Sequence, residues 1–231
     1  MIIFEKVTKN YTVGNFKIKA LDECSFTINK GEFVIIVGQS GAGKTTLLNM
    51  VGGMDVPSSG NIIINGVNIS HMNQKQLTLF RRNNVGFIFQ FYNLMPNLTA
   101  LENIELAVEI CKNPSPPQEV LEAVGLKDRQ NNFPSQLSGG EQQRVSIARS
   151  LAKNTDLILC DEPTGALDYD TGKKILKLLQ GIAKNEGKTV VLVTHNTAIK
   201  PIASKVMTIK NGQIIDIIEN PSPKSIDDIE W

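Results

Sequence analysis

The octapeptide Gly38-Gln39-Ser40-Gly41-Ala42-Gly43-Lys44-Thr45 fits the spacing G-x-x-x-x-G-K-[ST]. Its glycines let the backbone fold into a concave nest whose N–H groups point at phosphate oxygens, with no side chains in the way. A helix starting near Lys44 adds the positive end of its dipole. Lys44 supplies a mobile charge for the β- and γ-phosphates, and the Thr45 hydroxyl is a ligand for Mg²⁺. A Gly-rich turn alone would look similar, but this one follows a strand-like run and opens a helix-like one, the context the chemistry requires. A second candidate is Asp161-Glu162, which ends the apolar run Leu157-Ile158-Leu159-Cys160. Both carboxylates are expected at the carboxyl edge of a sheet, where α/β folds bind ligands. Asp161 suits Mg²⁺ held through a water, and Glu162 suits the polarisation of a water at a terminal phosphate. A third, Leu137-Ser138-Gly139-Gly140-Glu141-Gln142-Gln143-Arg144, reads as a helix capped by Ser138 with bare backbone at its start. By itself that is only a capped helix. Beside the first loop it implies two phosphate-type sites in different lobes, which a two-fold dimer would bring onto one nucleotide.

The elements that must hold these groups follow from hydrophobic period. Residues 32–37 are almost wholly apolar and β-branched, as befits a strand buried on both faces. Residues 44–50 read as a helix. Three alternating segments, 2–7, 16–21 and 24–28, read as strands, and Ile62-Ile63-Ile64 before Asn65-Gly66 as a hairpin. Residues 85–89 are another short strand. Between about 91 and 136 the character turns helical. Thr99-Ala100-Leu101-Glu102 is a capping box opening a helix through Cys111, and a second helix closes at Gly125. Strand-like runs at 157–160, 190–193 and 206–209, with a helix near 171–184, indicate a parallel sheet with crossover helices. Lys210-Asn211-Gly212-Gln213 suits a type I′ turn, and residues from Asn220 onward read as a loose tail.

The fold class is therefore α/β: a mostly parallel core sheet, an N-terminal antiparallel β subdomain and a small α-helical subdomain. Residues 1–219 are expected to form one domain, with 1–90 and 137–219 as core, 91–136 as the helical part and 220–231 as the tail. Composition sets outer bounds. Of 231 residues 41% are hydrophobic, which excludes disorder of the whole chain. Lys and Arg number 24 against 23 Asp and Glu, a balance that argues against a nucleic-acid partner. Apolar stretches fall far short of the roughly 20 residues of a membrane span, and the N-terminus lacks a signal-peptide layout. Cys24, Cys111 and Cys160 are odd in number and scattered, as expected for reduced thiols in a cytosolic protein.

The Gly38–Thr45 loop, Gln90 after a strand, Leu137-Ser138-Gly139-Gly140-Glu141, Asp161-Glu162, Ala166-Leu167-Asp168 and His195 occur in the order seen in ATP-binding-cassette ATPases. The chain resembles that family over nearly its whole length. The resemblance implies a P-loop NTPase cassette that hydrolyses ATP with Mg²⁺, and it implies roles by position. Tyr11 matches the aromatic that stacks on adenine. Gly38, Gln39, Ser40, Gly41, Ala42, Gly43, Lys44, Thr45 and Thr46 cradle the phosphates. Thr45, Gln90 and Asp161 serve the metal, with Gln90 also reaching the attacking water. Glu162 is the general base, and His195 bonds the γ-phosphate. Ser138, Gly139 and Gly140 contact nucleotide bound by a second subunit, and Asp168 crosses the dimer interface. His71 has no match and reads as a surface residue.

Within the family, Val85-Gly86-Phe87-Ile88-Phe89-Gln90 and Asp161-Glu162-Pro163-Thr164-Gly165-Ala166-Leu167-Asp168 look like the branch of the macrolide exporter MacB, with lipoprotein-release, bacitracin-resistance and FtsE cell-division ATPases nearby. Cys160 departs from the aliphatic residue or Ala usual before the aspartate, and the helical part is short between Lys112 and Gln118. The resemblance implies a homodimer on ATP binding. It also implies a separate MacB-type integral-membrane permease at the cytoplasmic face of the membrane, and a periplasmic or extracellular adaptor as a further partner. Phe91, Tyr92 and Leu94 beside Gln90 are the expected docking groove for a permease helix. Cargo would be antimicrobial peptides, macrolides or lipid-linked molecules. The rival readings are an FtsE-like ATPase that transmits force without transport and a soluble cassette acting on DNA or ribosomes. The latter usually carries two cassettes or a coiled-coil insertion, and this chain shows neither.

Overall fold

The computed structural model describes residues 1–230. The chain opens with two long antiparallel strands, β1 (Ile2–Val13) and β2 (Phe16–Ile28), then β3 (Phe33–Val37) and helix α1 (Lys44–Val51). Next come the hairpin β4 (Ser59–Ile64) and β5 (Val67–Asn68), helix α2 (Gln74–Asn84) and β6 (Val85–Ile88). Helices α3 (Ala100–Val108), α4 (Pro117–Ala123) and α5 (Gly139–Ala152) follow without an intervening strand. The chain then runs through β7 (Leu157–Asp161), α6 (Tyr169–Glu186), β8 (Thr189–Thr194), β9 (Lys205–Lys210) and β10 (Gln213–Glu219).

Two sheets result. One is antiparallel, in the order β2-β1-β4-β5; the other runs β10-β9-β3-β8-β7-β6 and is parallel except for β10. The parallel strands are buried on both faces because each face feeds a different core. Val34 and Ile36 of β3 join β1, β2, β4 and α1 on one side, while Phe33, Ile35 and Val37 join α3, α5 and α6 on the other. The same alternation sends Leu157 and Leu159 of β7 to the α1 side, and Ile158 and Cys160 to the opposite side. Asp161 comes next in the alternation and so faces α1. No helix among the described residues is long and apolar enough to cross a membrane.

Three expectations change. The segments anticipated at 2–7, 16–21 and 24–28 are two continuous strands. Lys6 and Glu23 take positive φ of 47° and 48° in a pairing with register shifts, so bulges bend the ribbon without ending it. The helix opened by the Thr99–Glu102 capping box ends at Val108, short of Cys111. Residues beyond Asn220 are not loose. Ile226 and Ile229 enter the helix-side core, and Asp227 pairs with Lys177. Gln180 of α6 ties the segment further: its Nε2 donates to Lys224 O at 2.7 Å, and its Oε1 accepts from Ile226 N. A Pro/Ser-rich and acidic composition conceals two isoleucines three residues apart, the spacing that seats both on one surface. Ile226→Ala should cost about 2–4 kcal/mol, as large-to-small changes in a core do. The drop will show in the denaturant midpoint; an unchanged midpoint would mean the segment is not bound in solution.

Candidate functional site

The loop between β3 and α1 is pressed by two neighbouring backbones. A Cβ on Gly38 would stand 2.5 Å from Ile209 O, and one on Gly43 would stand 2.6 Å from Ala20 O. Gly43 has φ +105° as well, so only glycine fits there without displacing β2. Lys44 folds back over the loop, its Nζ donating to Gly38 O at 2.8 Å and Gln39 O at 3.0 Å. The ammonium is thereby held against the loop by two of its carbonyls. Thr45, one residue into the helix, donates its hydroxyl to Asp161 Oδ1 at 3.4 Å.

Asp161 is buried at the end of β7. Burial pushes its carboxyl above the ordinary range, and the charge of Glu162 adds to this, against the Thr45 hydrogen bond and the Lys44 charge. Glu162 leaves the strand with φ +48°, a conformation that costs a non-glycine residue about 1–2 kcal/mol. Its N–H remains tied to Val193 O at 3.0 Å. The twist carries the side chain to the end of β8, where the carboxylate is held on both oxygens. Oε2 accepts from the Thr194 hydroxyl at 2.9 Å, while Oε1 accepts from the His195 N–H and lies 2.9 Å from His195 Nδ1. The His195 side chain itself is 74% exposed.

These groups share a cleft of about 870 Å³. Its lining includes Ser40, Gly41, Gly43, Lys44, Thr45 and Thr46 of the loop together with Asp161, Glu162 and His195. Gln90, exposed after β6, closes one side with Phe91 and Tyr92. Gly38, Gln39 and Ala42 shape the loop from behind and do not line the cleft. Tyr11 does not line it either: its hydroxyl donates to Asp55 Oδ2 and a Lys9 ammonium stands over its ring. Ser138, Gly139, Gly140 and Asp168 also lie outside the cleft. Ser138 is exposed and caps α5, its Oγ accepting from Glu141 N. Gly140 abuts Ala166 O, near Leu167. Asp168 caps α6, and the Thr171 N–H holds its carboxyl below the usual range.

Sequence reasoning missed part of the lining. Ile18, Lys19 and Ala20 of β2 and the turn residues Asn211 and Gly212 form the cleft's outer wall. The turn was legible as a hairpin from its Asn-Gly pair, but not its packing: Gly212 N donates to Ala42 O at 2.9 Å, beneath the loop. Thr194, which anchors Glu162, had only its place before His195 to mark it. Of the aromatic cluster beside Gln90, Phe91 is 75% exposed, whereas Tyr92 and Leu94 are half-buried and Leu94 packs on the helix-side core. Behind it a groove of about 370 Å³ holds the stacked rings of Phe87 and Phe89, with Arg81, Arg149 and Lys153 at its edge and no carboxylate among its lining.

A glycine nest at the carboxyl edge of a parallel sheet, with a buried aspartate against the hydroxyl that follows its lysine, defines a nucleoside-triphosphate site of the P-loop class. The family model described as ABC transporter matches residues 21–165, and the chain belongs to the ATP-binding-cassette family as an ATPase that uses ATP and Mg²⁺. An ABC transporter ATP-binding protein of Mycoplasma pneumoniae, the MG065 homolog, is 46% identical across 99% of this chain, which spans 49% of that protein's length. The ABC transporter ATP-binding protein MJ0796 of Methanocaldococcus jannaschii is 43% identical over 223 residues, 93% of this chain and 95% of its own. Its structure as a dimer in a post-hydrolysis state with ADP and Pi matches with TM-score 0.90 at 40% identity, covering 95% of this chain and 98% of that one. The macrolide export ATP-binding/permease protein MacB of Bartonella quintana is 42% identical across 93% of this chain and 33% of that protein.

Proposed function

We propose that two copies of this chain close around two ATP molecules, hydrolyse them, and use the resulting closing and opening to drive a membrane permease of the MacB kind at the cytoplasmic face. The observation that carries the reading is that Glu162 and the Lys44–Thr45 loop line one cleft, with Glu162 held there by a strained backbone and two anchoring residues.

In this reading the loop N–H groups and Lys44 hold the β- and γ-phosphates, Lys44 exchanging its carbonyl contacts for phosphate oxygens. Thr45 and Asp161 are hard oxygen donors close enough to share one small cation, and the burial that raises the Asp161 carboxyl is relieved by such a charge. With Gln90 beside them they would hold Mg²⁺, whose positive charge would offset that of the phosphates. Glu162 takes the proton of a water as its oxygen attacks the γ-phosphorus; the bond to the bridging oxygen breaks and ADP leaves with the electron pair. His195 both orients Glu162 and offers a ring nitrogen to the γ-phosphate. Tyr11 provides a platform for the base.

Ser138, Gly139 and Gly140 present a capped helix start with exposed backbone away from the chain's own cleft, which suits a phosphate held by the other copy. Asp168, at the next helix cap, lies on the path across that interface. The dimer of the archaeal relative supports this arrangement. Two ATP molecules then add contacts made only in the closed state and shift the population toward it; losing phosphate removes them.

The permease is expected to seat a helix beside Gln90, against exposed Phe91 and the Phe87–Phe89 groove, where binding state and partner can sense each other. Macrolides are the proposed cargo that the name of the MacB relative supports, and antimicrobial peptides or lipid-linked molecules are those the sequence resemblance adds. Purification of the Glu162→Gln form from membranes with ATP should recover an integral membrane protein in stoichiometric amount. Recovery of the chain alone would count decisively against coupling to a permease.

A further inference from the structure

Asp55 follows α1 and plays no part in the chemistry described so far, yet its carboxylate is divided between two residues of β1. Oδ1 accepts from Lys9 Nζ at 2.7 Å, and Oδ2 from the Tyr11 hydroxyl at 3.1 Å. Lys9 also donates to Val56 O at 2.8 Å, and its ammonium stands 5.0 Å from the centroid of the Tyr11 ring. The Val56 N–H donates to the same Oδ1, which fixes the carboxylate to its own loop. Lys9 is almost wholly covered, with 11% of its side chain exposed. One aromatic ring is thus gripped at its hydroxyl and over one face.

We propose that Lys9 and Asp55 are positioning residues that clamp the Tyr11 ring in one plane and thereby set how strongly the site prefers a nucleotide to a bare triphosphate. The inference rests on the reading of Tyr11 as the base platform. An aromatic side chain on a strand otherwise samples several rotamers, and ordering it when the base arrives subtracts from affinity. Here the ordering is already present. A cation over one face draws ring electron density toward itself, leaving the opposite face a better partner for an electron-rich purine. The protonation states suit the grip. Burial pushes the Asp55 carboxyl up, but hydrogen bonds from Lys9, the Val56 N–H and Tyr11 outweigh it and hold the group below the usual range. Burial, then the bond to Asp55 and its charge, push the Tyr11 phenol up, so the hydroxyl keeps its proton and donates.

The test compares ATP with inorganic tripolyphosphate, each with Mg²⁺, by calorimetry in a Glu162→Gln background that prevents turnover. Asp55→Asn and Tyr11→Phe should each weaken ATP about 5-fold, the size of one lost hydrogen bond, and leave tripolyphosphate unchanged. The double variant should be no worse than Asp55→Asn alone, because Tyr11→Phe removes only the hydrogen bond to the carboxylate that Asp55→Asn has already altered. In the hydrolysing protein Asp55→Asn should raise KM with kcat held. Tyr11→Phe keeps the ring and tests the clamp even if Asp55→Asn folds poorly. Equal weakening of ATP and tripolyphosphate would mean Asp55 merely supports the fold and overturns the clamp. An unchanged ratio for Asp55→Asn, alongside a lowered ratio for Tyr11→Ala, overturns the clamp and spares the base platform. An unchanged ratio for Tyr11→Ala removes the platform itself.

Discussion

Glu162→Gln is expected to bind ATP, to hydrolyse it about 10²–10⁴-fold more slowly, and to accumulate dimers that depend on ATP. The amide has the volume of the carboxylate, and its oxygen can still accept from the His195 N–H, so the local fold should survive. What disappears is a group able to take a proton from water, worth about 3–5 kcal/mol of barrier on that scale. The same change removes one negative charge facing a triphosphate, which favours the closed pair. Light scattering with and without ATP, beside a steady-state phosphate assay, separates the two effects. Hydrolysis at the parent rate would show that another residue is the base. A slow variant that stays monomeric at millimolar ATP would instead break the link between nucleotide and dimer.

The second large effect concerns the phosphate loop itself. Gly43→Ala places a Cβ 2.6 Å from the Ala20 carbonyl in a backbone held at φ +105°. Backbone strain of about 1–3 kcal/mol adds to an overpacking cost of about 1–3 kcal/mol. The neighbour that must give way is main chain of β2, which cannot rotate aside. The loop will distort, ATP binding should fall by two orders of magnitude or more on such a cost, and the melting temperature should drop. Gly41→Ala is the control: φ is +76° but nothing stands within 4 Å of the added atom. That variant should lose only the roughly 1–2 kcal/mol of a left-handed residue. Equal melting of the two would show that the contact with Ala20 does not govern the loop.

The chemical residues were legible because phosphate binding demands a local pattern. Glycines, a lysine and a hydroxyl must stand within one turn, and an acid must end an apolar strand. Each constraint lives within eight consecutive residues, so linear order is enough to see it. The parallel sheet was legible for a related reason: strands buried on both faces lose their polar alternation, as residues 33–37 and 189–194 do. The docked C-terminal segment was not legible, since its two isoleucines show no period by themselves and acquire meaning only against α6.

Local spacing therefore pointed to a triphosphate loop, to the carboxylates that end its partner strand and to an α/β frame that carries them, because those features depend on neighbours a few residues apart. Only the tertiary structure decided that Glu162 is aimed by Thr194 and His195, that the Asn211-Gly212 turn underpins the loop, and that Asp55 grips a ring 44 positions earlier. Such contacts join chain segments that no periodicity relates. They form when packing the two cores brings the ends of β2, β7, β8 and β9 to one edge, and that closure is a property of the whole chain.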